Sequence, residues 1–214
     1  MHLKSFGCSF IFGSDLHDDG RDGSYATPSQ YTWPALLAKD LGYTYNCYAR
    51  PGAGNLRITE QVLNQTTNID PAFHIINWTY IDRFDYTKSE NDAWATVMPI
   101  DKSEMATVYY RDLHSQYRDK LTTLIHIKTS LDMLIQKKQK FIMTYMDDLI
   151  FETHWHTSAA VLTLQDYIRP HMTTFEGQSF LDWSRQKGFE VSPAWHPLEE
   201  AHQAGFEYIK RHCF

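Results

Sequence analysis

The chain has 214 residues, of which 43% are apolar, 14% aromatic and 21% charged, with a formal net charge of −6. At roughly 100–200 residues per domain, that length is one domain or a compact pair, and it can bury a core without a metal or disulfide staple. The acidic balance argues against a nucleic-acid partner, which needs a basic face for phosphates, and the aromatic content argues against a disordered chain.

No apolar run approaches the ~18 residues of a membrane-crossing helix. The N-terminal apolar stretch is broken by polar residues and glycines and is followed by Asp15, Asp18 and Asp19. It does not read as a signal peptide. Cys8, Cys47 and Cys213 read as reduced thiols. The expected setting is the cytoplasm, with no membrane partner.

In chain order, residues 2–7 read as a buried strand ending in glycine, and 13–31, rich in Gly, Asp, Ser and Tyr, as a loop. A helix is expected from Thr32, with Pro34 in its first turn, stopping before Gly42. Tyr43 to Tyr48 reads as a second strand, and Pro51-Gly52-Ala53-Gly54-Asn55 as a turn. Residues 56–66 carry Leu56, Val62 and Leu63 at helical spacing. Phe73 to Trp78 is an apolar run of strand length, and 84–105, without periodicity, reads as an insertion. One long helix is expected over 108–138, with Leu113, Tyr117, Leu121, Leu124, Leu131 and Leu134 on its inner stripe. Lys140 to Met146 follows as a strand, then a mixed stretch at 147–175. A short helix over Phe180–Lys187 closes at Gly188, and a terminal helix over 198–212 turns Leu198, Ala201, Phe206 and Ile209 inward. Strands alternating with helices predict a three-layer α/β/α domain around a parallel sheet. With no repeat or linker, residues 1–214 read as a single domain.

Ligands of open parallel sheets sit beyond the carboxyl ends of the strands. Gly7-Cys8-Ser9-Phe10 follows the first strand, Gly52-Ala53-Gly54-Asn55 the second and Trp78-Thr79 the third. Trp195-His196-Pro197 precedes the last helix. Ester hydrolysis needs a hydroxyl, a histidine to take its proton, and fixed donors for the oxyanion. A serine just past a strand, a glycine turn beside it and a late histidine meet that description.

These residues resemble the SGNH (GDSL-type) hydrolases. The resemblance rests on Gly7-Cys8-Ser9-Phe10 with Gly13 after it, Trp33-Pro34-Ala35-Leu36-Leu37, Asn46 with the Pro51–Asn55 turn, and His196-Pro197 with His202. It implies a flavodoxin-like parallel sheet and a serine esterase acting on a carboxylic ester, such as a sugar O-acetyl group, through an acyl-enzyme. It implies Ser9 as nucleophile and His196 as general base and acid. The oxyanion donors would be the Ser9 N–H and Gly52, with Gly54 as the fallback, and His202 would be structural. No metal or organic cofactor is implied.

Three positions depart from the family pattern. Cys8 stands where an aspartate is common. The third block reads Asn77-Trp78-Thr79-Tyr80, so its usual asparagine is replaced by Asn77 or Thr79, which strand alternation puts on one face. The acid normally three residues before the histidine is Pro193. A backbone carbonyl near Ser192 would then orient His196, giving a Ser–His dyad, with Asp182 and Glu190 as the other candidates. Trp78, Tyr80, Arg83 and Trp195 are the candidate substrate contacts.

Plainer readings stand beside these. Ser9 also suits a helix cap, and Gly52 and Gly54 an ordinary turn. Asp147-Asp148 suits a solvated strand end. His154 and His156, on one face if they lie on a strand, would be two ligands of a metal-dependent hydrolase, but zinc asks for more. A carbohydrate- or partner-binding module on the same fold is the non-enzymatic alternative.

Overall fold

The computed structural model describes residues 1–19, 27–66, 71–90 and 92–214. Of the loop expected at 13–31, residues 20–26 lie outside the described residues, as does residue 91 of the 84–105 stretch. Among the described residues, four parallel strands form the central sheet: β1 (His2–Phe6), β2 (Thr44–Cys47), β3 (Ala72–Trp78) and β6 (Lys140–Tyr145). Their spatial order is β2-β1-β3-β6, with Ser5 opposite Cys47 and Ile75, and Ile75 opposite Ile142. Between β3 and β6 come a small antiparallel hairpin, β4 (Phe84–Tyr86) and β5 (Ala95–Val97).

Side chains alternate across a strand, so each central strand feeds two cores. Leu3, Phe73, Ile75 and Ile142 point to one face, where α2 (Trp33–Asp40), α7 (Phe180–Gln186) and α8 (Glu199–Cys213) supply Trp33, Leu37, Phe180, Trp183 and Ile209. Phe6, Ile76, Trp78 and Met143 point to the other, against α3 (Asn55–Thr66), α5 (Gln116–Gln136) and α6 (Ala159–Ile168). The result is the expected three-layer α/β/α arrangement. Among the described residues, no helix is long and apolar enough to cross a membrane.

The long helix expected at 108–138 is broken. A short α4 (Glu104–Val108) runs into a π-helical turn at Tyr109–Leu113, the chain leaves helical geometry at His114, and α5 starts afresh with Ser115 accepting the Arg118 N–H. Leu113, placed on the inner stripe by periodicity, is 61% exposed. The 84–105 stretch contains the β4–β5 hairpin and the start of α4, whose Val97 and Ala106 pack with Tyr109 in a small core of their own. Asp85 docks the hairpin onto the start of α3, accepting the Gly54 N–H (2.9 Å), the Arg57 N–H (2.9 Å) and, within the hairpin, the Thr96 hydroxyl (2.6 Å). The stretch at 147–175 contains α6, a helix whose Val161, Gln165 and Ile168 face inward.

Candidate active site

Gly7 ends β1 at φ +156°, and a Cβ there would lie 2.8 Å from Ile11 Cγ1 and 3.1 Å from the Asn77 carbonyl oxygen, so only glycine fits. The chain then turns at once into α1 (Ser9–Phe12), a single helical turn that Gly13 closes in the left-handed conformation. Ser9 is the first residue of that turn, where backbone N–H groups have no partner within the helix. The next reversal sets Asp15 at φ +70°, a conformation that aspartate tolerates better than most side chains.

These turns bring three side chains into series. His196 Nε2 lies 2.9 Å from Ser9 Oγ, across 187 positions of sequence. His196 Nδ1 lies 2.6 Å from Asp15 Oδ2. The Ser192 hydroxyl donates to the same Asp15 oxygen at 2.6 Å and accepts the N–H groups of Ala194 and His196, both at 3.2 Å. The Phe10 ring meets the His196 ring edge-on, 5.4 Å between centroids. The imidazole is thus held by a carboxylate on one nitrogen, the serine on the other and an aromatic edge.

Asp15 is the residue that sequence reasoning missed. None of the groups expected to orient His196 does so. The Ser192 carbonyl takes the Trp195 N–H. Asp182 takes the Ser179 hydroxyl and faces Arg185. Glu190 lines a surface hollow with Asp15 and Ser192, and its backbone carbonyl accepts the Leu198 N–H. The available signal was Gly13-Ser14-Asp15, a glycine stop followed by a residue suited to left-handed backbone, six residues past Ser9.

The glycine turn sits beside this series. The Arg50 N–H donates to the Gly7 carbonyl (3.1 Å) and the Ala53 N–H to the Arg50 carbonyl (3.1 Å). Pro51 and Gly52 are the two middle residues, Gly52 at φ +78°, the pattern of a type II turn. The Gly52 N–H meets no acceptor among the described residues. Gly54, the fallback donor, is corrected: its N–H is engaged by Asp85.

At the β3 exit, Asn77 is buried and its side-chain oxygen accepts the Thr144 hydroxyl at 2.9 Å. Thr79 is buried; its N–H donates to Asn55 Oδ1 (2.9 Å), while its hydroxyl has no partner among the described residues. Asn55 also donates to the Thr79 carbonyl (3.1 Å) and Thr123 (3.2 Å), clamping the strand exit to α3. Trp78 is corrected as a substrate contact: alternation buries it completely in the α3/α5 core. Tyr80 is half-buried, and burial raises its phenol pKa. The Arg83 guanidinium stacks on Tyr80 (5.2 Å to the ring centroid) and donates to the Ala53 carbonyl at 3.0 Å. Trp195 is 59% exposed.

Asp147 accepts the Ile81 and Leu149 N–H groups, and burial raises its pKa. His202 is buried in α8 and accepts the Trp33 N–H on Nδ1 (3.1 Å); burial lowers its pKa to about 3. His154 and His156 lie in an irregular loop instead of a strand, which removes the shared face that a two-ligand reading needs. Among the described residues, no three His, Cys, Asp or Glu side chains gather to hold a metal ion.

No protein-family model matches the sequence, and no curated protein matches it. Solved structures do match the fold. A lipolytic protein of the G-D-S-L family from Veillonella parvula superposes with a TM-score of 0.56 at 13% identity, over 99% of this chain and 97% of that one. The psychrotrophic esterase EstA from Pseudoalteromonas sp. gives 0.57 at 8% identity, over 98% and 94%. A carbohydrate esterase family 2 enzyme with a carbohydrate-binding domain, from Corynascus thermopiles, gives 0.54 at 14% identity, over 98% of this chain and 64% of that one. The chain therefore has the SGNH (GDSL-type) hydrolase fold.

Proposed function

We propose that this protein is a serine esterase in which Ser9 attacks the ester, His196 carries the proton and Asp15 orients His196. The observation that carries the reading is the unbroken series Asp15–His196–Ser9 at 2.6 and 2.9 Å. A serine hydroxyl is a weak nucleophile until a base takes its proton as it attacks. Asp15 on Nδ1 fixes the tautomer that leaves Nε2 free to do so, and its charge favours the imidazolium that results.

Ser9 Oγ bonds to the carbonyl carbon while its proton passes to His196 Nε2. The carbonyl oxygen takes up the negative charge against the Ser9 and Gly52 N–H groups. That tetrahedral species collapses: the bond to the alcohol oxygen breaks, and His196 gives the proton to that oxygen. Water then attacks the acyl-serine, loses a proton to His196, and the acid leaves as the proton returns to Ser9 Oγ. The chain's own residues supply each of these parts, so the route asks for no cofactor.

The test is labelling with a fluorophosphonate probe and mapping of the modified residue, beside turnover of p-nitrophenyl acetate by wild type and Ser9→Ala. Labelling at Ser9, lost together with turnover in the variant, is expected. Turnover that survives Ser9→Ala discards the assignment; no labelling and no turnover of any acyl ester favours a binding module on the same fold.

A further inference from the structure

The hairpin that carries His196 holds a second feature. The Trp195 N–H donates to the Ser192 carbonyl (2.9 Å), the Ser192 N–H donates to the His196 carbonyl (2.8 Å), and Val191 pairs antiparallel with Pro197. This is a three-residue hairpin loop, a turn followed by one bulged residue in left-handed conformation, the place where glycine is favoured. Trp195 occupies it at φ +70°. A bulky side chain there strains the backbone, and such strain gathers at functional sites.

Burial does not explain the residue, since Trp195 is 59% exposed. Its ring is nevertheless held: the Arg185 guanidinium lies 4.0 Å from the ring centroid, with Asp182 3.9 Å from Arg185. A large apolar ring is therefore fixed in the open, joined directly to His196. In the reaction proposed above, His196 protonates the departing alcohol oxygen, so the carbon skeleton of that alcohol emerges on the His196 side. A rigid ring beside a guanidinium and a carboxylate matches a molecule with a flat C–H face and a hydroxyl rim.

We infer that Trp195 is the platform on which the alcohol half of the substrate stacks, and that this alcohol is a carbohydrate. The inference rests on the esterase reading, and its test separates the two. Wild type, Trp195→Gly and Trp195→Phe are compared on methyl tri-O-acetyl-xylopyranoside, phenyl acetate and ethyl acetate. In Trp195→Gly the kcat/KM ratio of xyloside to ethyl acetate falls about tenfold, mainly through KM, and Trp195→Phe restores most of it. The Tm of Trp195→Gly stays at or above that of wild type, because glycine relieves the strained turn.

A ratio that stays within about twofold overturns the platform. A fall confined to phenyl acetate overturns the carbohydrate assignment. If wild type hydrolyses none of the three, the esterase reading fails alone, and calorimetric binding of the xyloside decides. Weaker binding to Trp195→Gly than to wild type sustains the platform, and equal or absent binding removes it.

Discussion

Asp15→Asn isolates what the carboxylate contributes, since it removes the charge and keeps the shape. Asp15 Oδ2 receives two contacts at 2.6 Å, one from His196 Nδ1 and one from the Ser192 hydroxyl. The side chains of His196 and Asp15 are only 12% and 18% exposed, so water screens the pair weakly. Opposite charges ~4 Å apart at an effective dielectric near 20 attract by about 4 kcal/mol. That attraction exists only once His196 is protonated, so it stabilises the transition state above the ground state. At about 1.4 kcal/mol per tenfold, its loss slows turnover by about a thousandfold. If the Asn amide turns its NH2 toward Nδ1, the ring is forced into the tautomer with its proton on Nε2, facing Ser9, and the loss reaches about ten-thousandfold. The assay is kcat and KM on p-nitrophenyl acetate from about pH 5 to about pH 9, with a thermal melt to confirm folding. kcat falls and KM hardly moves. A folded variant within about fivefold of wild-type kcat refutes the claim that Asp15 orients the base.

Three further outcomes follow from other parts of the molecule. In Gly52→Ala the new Cβ has room, with Met98 Cε at 4.0 Å its nearest neighbour, so the cost is backbone strain at φ +78°. Stability drops by about 1 kcal/mol and kcat by tenfold or more as the oxyanion N–H shifts, read by urea melts and turnover; equal kcat removes Gly52 from the oxyanion site. Asp85→Ala strips partners from two backbone N–H groups and the Thr96 hydroxyl, and urea denaturation should show a loss of about 3 kcal/mol; a loss below about 1 kcal/mol would mean the hairpin is held by other contacts. Burial depresses His74 and His126 to about 4 and His202 to about 3, so these rings stay neutral when folded while the unfolded chain takes up protons near pH 6.5. Their stabilising contribution is complete above about pH 6.5 and is lost toward pH 4, by up to about 1.4 kcal/mol per pH unit for each ring. The raised carboxyls of Asp85 and Asp147 offset part of that at the acid end. A urea midpoint that does not fall between about pH 7 and about pH 5 contradicts this.

Much of the frame is legible from local pattern. Phe73–Trp78 reads as a strand because both of its faces are buried, and a parallel sheet needs that. Trp78 shows the limit of the same reading: a residue at a strand's carboxyl end is near the crevice in sequence, but alternation decides whether it faces crevice or core. Periodicity carries the inner stripe through Leu113 because it sees spacing and not caps, and Ser115 is what restarts the helix. In α6, Gln165 interrupts the apolar stripe; its side chain bonds the Ile150 and Glu152 carbonyls, a partnership only the tertiary fold supplies. The order of blocks along the chain leads to Ser9 and His196 as candidates, and these two side chains meet at 2.9 Å. It does not lead to Asp15, because its approach to His196 depends on a one-turn helix reversing immediately after Ser9.

The position of the acid and the shape of the histidine hairpin are two sides of one arrangement. Where the resembled family keeps an acid, three residues before the histidine, this chain has Pro193, whose ring fixes φ at the second position of the turn. That turn is tight enough for the Ser192 hydroxyl to accept two N–H groups of its own loop while donating to Asp15. Supplied from the far side, by the loop after Ser9, the charge reaches His196 Nδ1 at 2.6 Å and leaves the hairpin free to hold Trp195 outward. Such a constellation is defined by which atoms meet, not by which segment carries them. Ser192→Ala probes the coupling directly: it removes the hydroxyl that joins the two loops and that accepts the His196 N–H, while the side chains of His196 and Ser9 stay as they are. The expected result is a fall in kcat of about tenfold, and little change would mean that each loop holds its own geometry unaided.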